Sequence, residues 1–493
     1  MIQAANERNP VPPQPRCDWR DVAFALALAI GTVALGAALQ LGRIYGNDGA
    51  MLADWTALPE RAYHQYHNTL YLPAASLVER VVPPTLLAAA DDPLWVAKSL
   101  SSLAAGIGIL FTFLCCRWIG IPRAASAAGT GLLAVSPVAW FFGATIEVHS
   151  LHFAVVAAAA WVTVVAPWRR PGVALAITAV VFVVPYLSHQ SAPVLGPGWI
   201  LWVQCARRRV AAAFSLRALF GIGVVLLLAL LVGHMLVQWR RGLGFGADFG
   251  GVATTVGQWR RPFTWAIVGT AVVMPLGLML PLVAVASCRR AIDGWLRATV
   301  LVVQVPLAAC VVWWGIAEQG GYLLGPAVLL AVAVAAWLAT LPHGMSVAIA
   351  VAAIAGQAWL GQKCIRDFDG EGFQLEERAA RVRTGLGEHG LLVSCNDNAP
   401  NVAIWFRGVN EINLLGSLAH EVPLDTWWST VQPVLAGFGT VDRFLVDVSF
   451  RLRPDLPDRV RDGMLRLESA LRADWKVTEL PHPSWPMWLV AKK

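Results

Sequence analysis

Apolar residues fill long, nearly unbroken stretches over most of the chain. Crossing about 30 Å of hydrocarbon takes about 20 residues of helix. Stretches of about that length lie near 22–42, 94–116, 124–142, 149–167, 172–188, 190–205, 215–237, 264–287, 294–314, 322–341 and 344–361. They predict a polytopic α-helical membrane protein with about eleven spans over 1–361. The pattern changes after that. Charge becomes dense over 362–493, and no apolar run there is long enough to span. Residues 371–386 read as an amphipathic helix, "GLLVSC" and "FLVDVSF" as buried strands, and "MWLVAK" as a last strand. Residues 456–473 read as a helix with an apolar face of Val460, Met464, Leu465, Leu467 and Leu471. Alternating helices and short apolar strands predict a small soluble α/β domain. No Gly-rich phosphate loop opens a helix in it.

Composition agrees with the membrane reading. The chain is 57% hydrophobic and 14% charged, against about 25% charged in a soluble domain. A surface that poor in charge has to face lipid. Residues 1–21 are polar and Pro-rich, and no small-residue cleavage site follows the first apolar run, so the first span reads as a retained anchor. The net charge is +7, carried almost wholly by Arg, and no basic stripe outside the loops points to nucleic acid. Positive charge marks the cytoplasmic side. With 1–21 in the cytoplasm, Arg117 and Arg123, Arg169 and Arg170, Arg207 to Arg209, and Arg289 and Arg290 all fall on that same side. The loops 43–93, 143–148, 188–190, 238–263 and 315–321, and everything after 361, then face outward. Loop 238–263 breaks the rule with Arg240, Arg241, Arg260 and Arg261. The expected place is a bacterial inner membrane, with a cytoplasmic N-terminus and an extracytoplasmic C-terminal domain. Of the eight cysteines, Cys364 and Cys395 are the only pair in the C-terminal region, and an outer location would permit a disulfide between them.

Candidate chemistry collects on the outer side. Asp48 follows the first span by a few residues, and His67 and Tyr71 lie further along the same loop. Segments 49–58 and 68–80 read as short interfacial helices anchored by Trp55 and Tyr71. An ionised Asp48 would accept a proton from a hydroxyl; it equally fits a helix N-cap. The short loop "FFGATIEVHSLHF" places Glu147 and His149 at a span boundary, with His152 one turn on. Ionisable groups at membrane depth are costly and mark function, although Glu147 also suits the start of a helix. Asp48, Glu147 and His149 would suit a divalent cation such as Mg or Mn. The four outer arginines would attract phosphate or stand as a solvated loop. Tyr322 opens the tenth span in "GGYLLGP". His234 and Gln304, well inside spans, read as interhelical contacts.

In this order the features resemble the GT-C superfamily of membrane glycosyltransferases. An early acidic residue, Asp48, follows span one; a second, Glu147, stands in a short outer loop; "GYLLGP" is similar to the "RYLLP" element; and a soluble outer domain ends the chain. The stretch "SPVAWFFGATIEVHSLHF" also resembles the protein O-mannosyltransferase-like branch. The pattern departs at two positions. No second acid directly follows Asp48, and Gly321 stands where the element has Arg. The resemblance implies transfer of a sugar from a polyprenyl-phosphate carrier to an acceptor hydroxyl of a glycan, lipid or protein. Asp48 would be the general base, Glu147 its assistant, and the arginine loop the grip on the carrier phosphate. His149, His152, Tyr71, His67 and Tyr322 would line the substrate site. Two other readings stay open: a transporter or flippase of lipid-linked substrates, and a non-catalytic membrane protein whose outer domain binds a glycan or partner. No internal repeat favours the transporter.

Overall fold

The computed structural model describes residues 17–39, 52, 56, 70–87, 94–166, 170–189, 191–207, 218, 221–226, 228–229, 232–233, 236, 265–288, 294–314, 320–386, 391–394, 410–413, 423–438, 441–448, 458–481 and 486–493. The chain divides into two compact units, 1–40 with 59–367 and 41–58 with 368–493.

The first unit is helical. Its elements are α1 (Trp19–Ala38), α2 (Tyr71–Val81), α3 (Trp95–Trp118), α4 (Arg123–Ala134), α5 (Pro137–Ala144), α6 (His149–Val165), α7 (Pro171–Ser188) and α8 (Ala192–Arg207). There follow α9 (265–276), α10 (Met279–Cys288), α11 (Gly294–Trp314), α12 (Gly321–Leu324), α13 (Ala327–Leu338) and the start of α14 (His343–Leu386). Among the described residues α1, α3, α7 and the first part of α14 are each long and apolar enough to cross a membrane. Two bent pairs, α4 with α5 at 59° and the end of α9 with α10 at 77°, raise that number to six. The predicted count of eleven is therefore not reproduced by length alone, because several apolar stretches break into shorter helices. Most of the predicted span 215–237 lies outside the described residues.

Local chemistry explains the breaks. Ser136 caps α5 by accepting the Ala139 N–H at 3.3 Å, and Pro137 occupies the first turn, where its missing N–H costs nothing. Between α9 and α10, Gly277 has φ +51°, a conformation open to glycine at little cost. Gln357 of α14, fully buried, splints this break: its Oε1 accepts the Leu278 N–H at 2.7 Å and its Nε2 donates to the Leu276 carbonyl at 3.0 Å. Irregular backbone at membrane depth persists only where its polar groups are satisfied in this way.

The layering follows the apolar surfaces. In α3, 78% of the apolar window is buried, against 17% for the first part of α14. The first is the centre of the bundle, and the second turns Val347, Val351 and Trp359 outward, as a lipid-facing helix does. At the start of α1, the buried Asp21 accepts Arg117 Nε and Arg123 Nε, each at 2.8 Å, while Asp18 caps the helix through the Asp21 N–H at 2.9 Å. This knot ties the beginnings of α1 and α4 to the end of α3. Gln304 of α11 is buried with neither amide atom partnered among the described residues, so the expected interhelical contact is not seen there. His234 lies outside the described residues.

The second unit holds β1 (Leu391–Ser394), β2 (Asn410–Asn413), α15 (Leu424–Gly437), β3 (Arg443–Asp447), α16 (Asp458–Asp474), β4 (Trp475–Leu480) and β5 (Met487–Lys492). The sheet order is β2-β1-β3-β5-β4, with β1 parallel to β2 and β3, and β5 antiparallel to β3 and β4. Trp427, Phe444, Leu467 and Trp488 form its core. α16 buries Val460, Met464, Leu467 and Leu471 as predicted, whereas Leu465, one residue past Met464, points outward. The predicted separate helix 371–386 is instead the continuation of α14, one helix from His343 to Leu386. Cys395 lies outside the described residues.

Candidate functional site

Four histidine and tyrosine side chains meet where three helix ends come together. The link Thr145–Val148 joins α5 to α6 and is tied down at both ends. Thr145 Oγ1 donates to the Phe141 carbonyl at 3.0 Å, and Ser150 Oγ to that of Phe142 at 2.6 Å. Within it Glu147 is buried, and its carboxylate accepts the Val148 N–H at 2.9 Å. The N-terminal end of a helix favours that negative charge. His149 and His152 then share one face of the first turn of α6.

The second wall is the end of α7. Its cap, His189, leaves the helix in extended backbone (φ −163°, ψ 138°) and turns toward α6. The third wall is α12, which carries Tyr322. Ring centroids lie 5.0 Å apart for His149 and His189, and 5.2 Å for each of His149–Tyr322, His152–His189 and His189–Tyr322. All four side chains are buried. Tyr71, also buried, begins α2 just after Leu70, whose N–H donates to the Leu187 carbonyl at 3.3 Å beside Ser188.

The departure at Gly321 has a steric cause. A Cβ on residue 321 would stand 2.3 Å from Cδ2 and 2.5 Å from Nε2 of His149. The imidazole occupies the volume in which a side chain at 321 would begin. Gly325 gives similar room to His152, whose Nε2 lies 3.2 Å from where its Cβ would be.

Of the residues singled out from sequence, Glu147, His149, His152, Tyr71 and Tyr322 are thus buried around these helix ends. Asp48, His67, Arg240, Arg241, Arg260 and Arg261 lie outside the described residues. Ser188, His189 and Ser191 were missed. Their signal was the polar triplet Ser188-His189-Gln190 between two apolar runs, which reads from sequence only as the edge of two spans. Among the described residues no three of His, Cys, Asp and Glu stand so as to hold a metal ion.

Against solved structures the chain is similar to ArnT from Cupriavidus metallidurans, a GT-C glycosyltransferase, in two forms. The apo form gives a TM-score of 0.58 at 13% identity, covering 95% of this chain and 97% of that one. The form bound to undecaprenyl phosphate gives 0.55 at 13% identity, with the same coverage. This chain has the GT-C fold. Neither a protein-family model nor a curated protein matches the sequence. The GT-C likeness drawn from Glu147, "GYLLGP" and the terminal soluble domain is therefore met at the level of the fold. The likeness to ArnT does not single out the protein O-mannosyltransferase-like branch.

Proposed function

We propose that this protein is a membrane glycosyltransferase that moves a sugar from a polyprenyl-phosphate carrier to an acceptor hydroxyl on the outer face of a bacterial inner membrane. The observation that carries the reading is the buried cluster of Glu147, His149, His152, His189 and Tyr322 at the ends of three helices. It stands within a fold shared with a protein crystallised with undecaprenyl phosphate. Polar and titratable side chains gathered at span ends suit chemistry at a membrane surface; a midplane substrate path would need them deeper.

In this reading Asp48 takes the proton of the acceptor hydroxyl as the acceptor oxygen bonds to the anomeric carbon. The bond from that carbon to the phosphate oxygen breaks, and the polyprenyl phosphate leaves with the electron pair. Arg240, Arg241, Arg260 and Arg261 offer guanidinium forks to that phosphate. Glu147, with His149, His152, Tyr71, His67 and Tyr322, contacts the sugar or the acceptor. The acceptor is a glycan, a lipid or a protein, and the C-terminal α/β unit faces the same outer side.

The test is transfer from polyprenyl-phosphate sugars by the purified protein. Replacing Asp48→Asn removes the base and should lower turnover about 10²–10⁴-fold, with unchanged yield and thermal stability. Unchanged turnover sinks this mechanism. A wild type that transfers nothing but carries such lipids across proteoliposomes is a flippase instead.

A further inference from the structure

Val347, Val351 and Trp359 of α14 face outward, yet Gln357 in the same apolar stretch is fully buried. An amide in a span finds its partners on neighbouring helices. Gln357 finds them at the break between α9 and α10, on the Leu278 N–H and the Leu276 carbonyl, and both its amide atoms are used there. Two glycines permit the close approach. A Cβ at 356 would stand 2.9 Å from Leu278 Cδ1, and one at 277 would stand 2.5 Å from Gln357 Oε1. The backbone fixed in this way runs back at once into Pro275. The turn before it, Gly269–Val273, is π-helical, a widened form often found at functional sites.

Pro275 is the stop against which α12 begins. Gly320, the N-cap of α12, has φ +74°, and a Cβ there would lie 2.6 Å from Pro275 Cγ and 3.1 Å from the Ala271 carbonyl oxygen. One residue on, Gly321 abuts the His149 imidazole, and Tyr322 then meets His149 and His189 with ring centroids 5.2 Å away. The links from Gln357 to Tyr322 are backbone hydrogen bonds and contacts at glycine. Close packing of this kind transmits a displacement. α14 backs the other bent span as well. A Cβ at 361 would stand 3.0 Å from the Val135 carbonyl oxygen and 2.6 Å from Trp140 Cε3, at the bend where α4 passes to α5. α5 ends three residues before Glu147.

Resting on the transferase reading above, we infer that Gln357 is a positioning residue of the site: by fixing the break between α9 and α10 it sets, through Pro275 and Gly320, where α12 holds Tyr322 against His149 and His189. It acts through Tyr322 and touches no substrate. A misplacement of about 1 Å in a group that orients substrate costs about 10²-fold in rate, even when the mutation lies far from the chemistry.

The test is a double-mutant cycle read in kcat/KM with a polyprenyl-phosphate sugar, on folded protein below its unfolding range. Gln357→Glu keeps the acceptor for Leu278 and loses the donor to Leu276; it should lower kcat/KM at least about tenfold. Tyr322→Ala removes the group that is being positioned. Adding Gln357→Glu to it should then lower kcat/KM by less than about threefold more, because changes that act through one group do not add. Gly320→Ala drives α12 off Pro275 and leaves the amide of Gln357 in place. It should show the same loss and the same dependence on Tyr322, which keeps the test open if Gln357→Glu misfolds. A lowered unfolding temperature with unchanged kcat/KM would make Gln357 a support of the fold alone and overturn the positioning role, while leaving the transferase reading intact. An equal loss with and without Tyr322 overturns it too. A wild type that transfers no sugar overturns both.

Discussion

Residue 321 and His149 compete for one volume, since a Cβ at 321 would stand 2.3 Å from the imidazole Cδ2. The imidazole is wedged against Phe142, His189 and Tyr322, with ring centroids 4.8, 5.0 and 5.2 Å away, and has little room to retreat. Overpacking of this kind costs about 1–3 kcal/mol. Gly321→Ala should therefore lower the thermal stability of the purified protein by an amount in that range. The same change made on top of His149→Ala should cost far less, because the clashing ring is gone. Equal losses in both backgrounds would show that the two residues do not share the space.

Gln357 holds the break between α9 and α10 with two hydrogen bonds from one amide. Removing it leaves a buried backbone N–H and a buried carbonyl unpaired, at about 1–3 kcal/mol for each orphaned group. Gln357→Ala should destabilise by about that amount or more. Gln357→Glu keeps an acceptor for Leu278 but loses the donor to Leu276, and should fall between the two. Thermal unfolding of the three proteins in one detergent ranks them. If Gln357→Glu matched the wild type, the bond to Leu276 would contribute nothing.

The sequence pattern carried the outline of both units, and it failed where short-range signals were weak. Long apolar runs announced α3 and α7 to within two residues at each end, and α1 to within four. They could not announce the kinks at Ser136 and Gly277, because hydropathy does not register backbone direction. In the second unit β1, β3 and β5 were legible as apolar runs, since all three lie inside the sheet. β2, with the sequence Asn-Glu-Ile-Asn, and β4, half-exposed, are edge strands whose residues need little burial. α15 was hidden by the internal Pro433. At the site, Glu147, His149 and His152 stood out because they interrupt an apolar stretch. His189 did not, because its partners come from α6 and α12, more than thirty residues away on either side.

Asp21 is the centre of a charge network whose members differ sharply in burial. Its carboxylate is fully buried and takes Arg117 at 2.8 and 3.2 Å and Arg123 at 2.8 Å. Removing one partner of a buried pair costs about 3–5 kcal/mol. Asp21→Ala should approach that figure, because two guanidinium groups lose their carboxylate at once, and the partial exposure of Arg123 should hold it toward the lower end. The Asp18–Arg123 pair is about half exposed, and such pairs give about 0–1 kcal/mol; the N-cap that Asp18 also supplies adds about 1. Asp18→Ala should thus cost clearly less than Asp21→Ala in thermal unfolding. The reverse order would mean that the cap, not the buried carboxylate, ties α1 to α3 and α4.

Glu147 separates the two roles a buried acid can have at this position. As a structural anion it accepts the Val148 N–H at 2.9 Å and completes the start of α6. As a site residue it contacts the acceptor or sugar. Glu147→Gln keeps an oxygen for Val148 and removes only the charge. If the role is structural, the variant should unfold within about 1 kcal/mol of the wild type, near the net worth of one hydrogen bond, and turn over normally. The proposed transferase requires a different outcome: stability close to the wild type, and kcat/KM for the carrier-linked sugar reduced at least about tenfold, or about 1.4 kcal/mol of transition-state binding. Paired measurements of unfolding and transfer on this single variant decide between them, and normal turnover with near-wild-type unfolding would leave Glu147 the structural role alone.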